Sequence, residues 1–79
     1  MSSVPLYLVV RALAGFVGIL GSASVVWLPE GDVMVGPVEL SGVGSGGALK
    51  YFLFVHPVEG RVWIPSEHVL GHELYLRRL

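Results

Sequence analysis

Ala12-Leu13-Ala14-Gly15-Phe16-Val17-Gly18-Ile19-Leu20-Gly21-Ser22-Ala23-Ser24-Val25-Val26-Trp27-Leu28 is the stretch that decides how this chain folds. It is an uncharged run of 17 residues, at the lower edge of what crosses a bilayer as a helix. Gly15, Gly18 and Gly21 recur at every third position, a use of small residues that packed membrane helices share. Arg11 as a charged flank and Ala23 near a cleavage position would also suit a signal peptide. Three features point to strands instead. Val17, Ile19, Val25 and Val26 are β-branched and Phe16 and Trp27 are aromatic, residue types that fit a pleated surface. Glycines inside such a pattern mark bends or bulges in a curved sheet. No basic cluster flanks the run to orient a spanning helix. The stretch therefore reads as a hairpin with arms Phe16–Leu20 and Ser24–Leu28 and Gly21-Ser22-Ala23 between them. The alternative is a small membrane-anchored subunit with a helix at about 12–28.

Upstream, Met1–Ser3 reads as a frayed start and Leu6–Leu13 as a first strand. Downstream, Pro29-Glu30-Gly31-Asp32 is the clearest turn, since proline presets φ and glycine accepts a positive one. Val33–Leu40 alternates, and Pro37 suggests an edge position or a bulge. Ser41-Gly42-Val43-Gly44-Ser45-Gly46-Gly47 reads as a flexible loop. No Gly-Lys-Ser/Thr ending follows it, so it is not a phosphate loop. Ala48–Val55 is a strand with apolar residues on both faces except at Lys50, which implies that both faces are covered. His56–Gly60 is the next turn. Arg61–Ile64 is a strand that stops at Pro65, because proline has no amide hydrogen to give a ladder. Ser66 and Glu67 suit a single helical turn, and the strand resumes at Val69. Trp63 and Ile64 point to opposite faces; which of them faces inward is open at this stage. Glu73–Leu79 reads as a last strand or a short amphipathic helix.

A chain of 79 residues without cysteine forms one domain, spanning 1–79, with no disulfide to staple it. With 53% apolar and only 14% charged residues, it carries more apolar surface than a small domain can bury alone. Self-association, docking on a protein partner or a membrane would cover the surplus. The net charge of −1 offers no basic field for nucleic acid. Only Arg77 and Arg78 cluster among the five basic residues. The compartment stays unassigned, with the cytoplasm favoured.

No catalytic signature emerges, and the chain reads as a non-enzyme. His68 and His72 stand four apart beside Glu67 and Glu73, a helical zinc spacing, with His56 as a conceivable third ligand. Gly71 opposes the helix, so they read as surface histidines, with no metal and no cofactor. A pH-responsive contact at these histidines is a further option. Asp32 is the only aspartate and no nucleophile elbow occurs. Glu30 and Asp32 share a turn and read as solvated turn formers. Trp63, Tyr51, Phe52 and Phe54 could stack bases, as in an oligomeric RNA-binding β protein. Without a basic groove, these rings read as core.

Gly60-Arg61-Val62-Trp63-Ile64-Pro65-Ser66-Glu67-His68-Val69 resembles the closing segment of a Src-homology-3 domain. There, glycine, an aromatic, an aliphatic, Pro-Ser, a variable residue, tyrosine and valine follow one another. Val10-Arg11-Ala12-Leu13 is similar to that family's opening strand. Trp27-Leu28-Pro29-Glu30-Gly31-Asp32-Val33-Met34-Val35 resembles its turn with Gly-Asp before an aliphatic strand. Leu49-Lys50-Tyr51-Phe52-Leu53 falls where the family carries paired tryptophans. The resemblance implies an all-β fold: a small five-stranded, partly open barrel with a short 3-10 turn near Pro65–His68. Of the family's proline-peptide groove, only Pro65 and His68 match, with His68 in place of tyrosine. The expected function is a protein-interaction or assembly module, with Tyr51, Trp63, Pro65 and His68 as the contact surface.

Overall fold

The computed structural model describes residues 4–18, 24–43, 49–70 and 73–79, and these described residues form seven strands and one short helix. The strands are β1 (Leu6–Val9), β2 (Leu13–Val17), β3 (Ser24–Leu28), β4 (Val33–Val43), β5 (Leu49–His56), β6 (Gly60–Pro65) and β7 (Leu76–Arg78). The helix α1 (Ser66–Leu70) lies between β6 and β7. All strands join one antiparallel sheet in the order β3-β2-β6-β5-β4-β1-β7. The all-β expectation holds, with seven strands where five were expected.

The sheet is strongly curled. β1 and β2 stand four places apart in the order, which in a flat sheet is about 19 Å at about 4.8 Å per strand. Only Val10-Arg11-Ala12 links them, and an extended chain from Val9 to Leu13 reaches about 14 Å at most. The concave side holds one core of Val9, Leu13, Leu28, Met34, Phe54, Val62, Ile64 and Leu76, drawn from all seven strands. Gly15 faces this core too, and a Cβ there would strike a methyl of Val62. That glycine serves packing rather than a bend.

Several boundaries depart from the sequence reading. The greasy stretch is not a helix, since Leu13–Val17 and Ser24–Leu28 are paired strands. Among the described residues, no helix is long and apolar enough to cross a membrane. The expected hairpin turn Gly21–Ala23 and the end of its first arm lie outside the described residues. The first strand stops at Val9, where the chain turns a corner. There Val10 N–H and Arg11 N–H donate to Tyr75 O, and Val9 exchanges hydrogen bonds with Asp32 and Gly31. Strand β4 runs on through Ser41, Gly42 and Val43 because these pair with Tyr51, Lys50 and Leu49. The rest of the expected loop, 44–48, lies outside the described residues. The chain does not resume a strand at Val69, which sits in α1. That helix takes the place of the expected 3-10 turn. The closing strand is β7.

Of the edge position or bulge that Pro37 suggested, β4 is not an edge strand, and its pairing with β5 shifts register around Pro37. Val35 faces Val55 and Glu39 faces Leu53, so β4 uses more residues than β5 between these pairs. Such an insertion bends the strand and raises its twist. It lets β4 pair with β1 through Val33–Val35 and with β5 from Val35 to Val43.

Candidate functional site

Register places a connected apolar surface on the convex side of the sheet. Directly opposed residues share a face. Trp63 of β6 stands opposite Leu53 of β5 on one side and Phe16 of β2 on the other. Tyr51 stands opposite Pro65. Phe16 stands opposite Val25 of β3, and Ala14 opposite Trp27. Alternation along each strand then puts Val25, Trp27, Ala14, Phe16, Trp63, Pro65, Tyr51 and Leu53 on the same face. The Phe16 and Tyr51 rings meet edge to face, with centroids 5.8 Å apart and planes at 87°, an arrangement rings prefer. Leu53 is buried although it faces outward, so both faces of β5 are covered at that point. A shallow depression of about 280 Å³ is lined by Gly18, Leu53, Arg61 and Trp63.

The orientation left open by the sequence is resolved. Ile64 is fully buried in the core, and Trp63 is half-buried on the outward face. Three of the four expected contact residues, Tyr51, Trp63 and Pro65, share that face. His68 is engaged elsewhere. Its ring lies on Tyr75, with centroids 4.6 Å apart and planes at 40°, and the Arg11 guanidinium sits 5.8 Å from the same Tyr75 ring. The Nδ1 atom of His68 is buried without a hydrogen-bond partner among the described residues. Phe16, Val25 and Trp27 extend the face beyond the residues expected from sequence. Val25 and Trp27 are 61% and 71% exposed.

The other polar feature is a clamp between two turns. His56 ends β5 and is only 4% exposed. Its Nδ1 accepts hydrogen bonds from Val58 N–H and Glu59 N–H, each at 3.1 Å. With Nδ1 accepting, the ring hydrogen belongs on Nε2, which donates to Asp32 Oδ2 at 2.7 Å. The hydrogen-bond pattern thus assigns a neutral imidazole tautomer. Asp32 is therefore half-buried and bonded, contrary to the reading of a freely solvated turn carboxylate; Glu30 is exposed as expected. Both ring nitrogens of His56 are occupied, which removes it as a third metal ligand. Among the described residues, no group of three histidines or carboxylates gathers; His72 lies outside them.

His56→Ala would leave two amides and one carboxylate oxygen without their partner. Unsatisfied groups of this kind cost about 1–3 kcal/mol each when buried, and these are only partly so. A net loss of about 2 kcal/mol is expected, seen as a melting temperature lower by about 10 °C at about 4–8 °C per kcal/mol. Asp32→Asn keeps an acceptor for Nε2–H, so about half that loss is expected. Equal melting temperatures for wild type and His56→Ala would show that the clamp contributes nothing to stability.

No known protein family matches the chain. No curated protein and no solved structure matches it either.

Proposed function

We propose that this chain is a non-enzymatic Src-homology-3-like module that works by protein contact through its outward apolar face. One observation carries the reading: Trp27 and Val25 stand 61–71% exposed beside the Phe16, Tyr51 and Trp63 rings. Aromatic anchors ringed by smaller apolar contacts are what protein interfaces concentrate. A contiguous surface of this kind on a small chain marks an interaction site. The barrel reading is supported by the curl of the sheet, by the bend in β4, and by the single helical turn between Pro65 and the last strand. The contact residues are Tyr51, Trp63 and Pro65, now joined by Phe16, Val25 and Trp27. Among the described residues, the one close histidine–carboxylate pair is committed to holding two turns together, which supports a binding role over a catalytic one.

Photo-crosslinking in the source cells tests this. A photoreactive residue in place of Trp27 is expected to give a discrete covalent protein adduct. The same residue in place of Val58, 83% exposed on the β5–β6 turn, is expected to give none. Adding Trp63→Ala should cut the adduct yield by roughly tenfold or more, the size of an interface hot spot. No adduct at position 27, or equal adducts at both positions, sinks the reading.

A further inference from the structure

The two edges of the sheet are chemically unlike. β7 carries Arg77 and Arg78, both exposed, and charge on an edge strand discourages pairing with another chain. β3 carries no charge and reads Ser24-Val25-Val26-Trp27-Leu28. Among the described residues, only β2 pairs with β3, and no described backbone group outside that hairpin bonds to it. An uncharged edge of β-branched and aromatic residues is a template for one more strand.

We infer that two copies of this chain join edge to edge through β3, antiparallel, about a two-fold axis beside Val26. The inference rests on the contact-module reading and names its partner as a second copy. The strand is self-complementary in that register. Val25 faces Trp27 of the partner subunit, Ser24 faces Leu28 of the partner subunit, and Val26 faces its own counterpart. No like charges oppose one another, as they would if two arginine-bearing β7 edges met. The pairing also adds cover to the two most exposed large apolar residues of the outward face, Val25 and Trp27. It runs the Phe16–Trp63 surface of one copy into that of the next. A closed two-fold pairing leaves no second β3 edge to propagate, so the assembly stops at two. The net charge of −1 opposes it little.

The chain contains no cysteine, so one introduced thiol per chain reports the register. Opposed Cβ atoms across an antiparallel pair lie about 4.5–5.5 Å apart, close enough for a disulfide after a small shift. Purified full-length Val26→Cys is treated with a mild oxidant, beside Arg77→Cys on the other edge. Native mass of the wild type is measured by light scattering over a range of concentrations. The expected result is a wild-type dimer, with Val26→Cys converted mostly to a linked dimer and Arg77→Cys not. A monomeric wild type at every concentration overturns the inference. A wild-type dimer with no Val26→Cys linkage, or with equal linkage at both edges, overturns it as well. In either case the contact-module reading stands or falls separately, on the adduct at position 27. A photoadduct with a different protein and no linked dimer would assign the edge to another partner and overturn self-pairing.

Discussion

Gly36→Ala is expected to abolish cooperative folding or come close to it. Gly36 is buried at the bend of β4 with φ of +145°, a backbone setting that side-chain-bearing residues rarely adopt. A Cβ there would lie 2.9 Å from Phe54 Cδ2, 3.1 Å from Leu53 O and 3.2 Å from Phe54 Cα. Two of these three neighbours are backbone atoms of the adjacent strand, which cannot step aside without breaking the β4–β5 ladder. Backbone strain of about 1–3 kcal/mol and overpacking of about 1–3 kcal/mol act together. At about 0.05–0.15 kcal/mol per residue, a chain of this length holds only about 4–12 kcal/mol in all. Circular dichroism during a thermal scan checks this. A sharp transition at the wild-type temperature would show that Gly36 is not the pivot of the bend.

Phe54→Ala is the second large effect. Phe54 is completely buried, and its ring meets Tyr7 edge to face at 5.3 Å. It bridges β5 to β1, so one side chain ties the middle of the sheet to strands nearer its β7 edge. Removing a buried phenylalanine ring costs about 3–5 kcal/mol, according to how far the cavity collapses. Chemical denaturation should show a lower midpoint, or a chain already unfolded without denaturant. Phe16→Ala makes the contrast. Phe16 is half-buried on the outward face, so its loss should cost less stability and more association. The reverse ranking would mean that the two faces of the sheet have been assigned the wrong way round.

Much of the sheet is legible in the sequence. Val25 and Val26 marked the second arm of the first hairpin, and Pro29-Glu30-Gly31-Asp32 marked the entry to β4; the first arm begins at Leu13, where the sequence reading began it at Phe16. Pro37 marked its register shift. What stayed hidden had long-range causes. Nothing in Val10-Arg11-Ala12 signals a corner, because the corner is held by Tyr75 O from the far end of the chain. Ser41-Gly42-Val43 looks like loop by composition and is strand by pairing. Val69 is β-branched, yet it sits in the helical turn after Pro65. The His56–Asp32 bond joins groups 24 positions apart, and neither residue type announces the other. The sequence does carry one cue to the orientation of Trp63. Arg61 shares a strand face with Trp63 while Val62 shares one with Ile64, so the charged residue already pointed Trp63 outward. That parity would have extended the contact surface along β6. The Val25 and Trp27 part of the site needed the β2–β6 pairing, which no local pattern contains.

The β1–β7 pairing sets Tyr7 against Arg78, two residues far apart in sequence. During synthesis, β1 can settle on β4 but must wait for β7, which follows the other strands in the sequence. Leu76, one of the plugs of the shared interior, arrives at the same late moment. Because such distant partners must find each other before the contact rewards them, completion of the sheet is slow for a chain of this size. The nascent polypeptide therefore passes through a stage with its apolar lining open on one side, and it is then that a chaperone would have the most to hold.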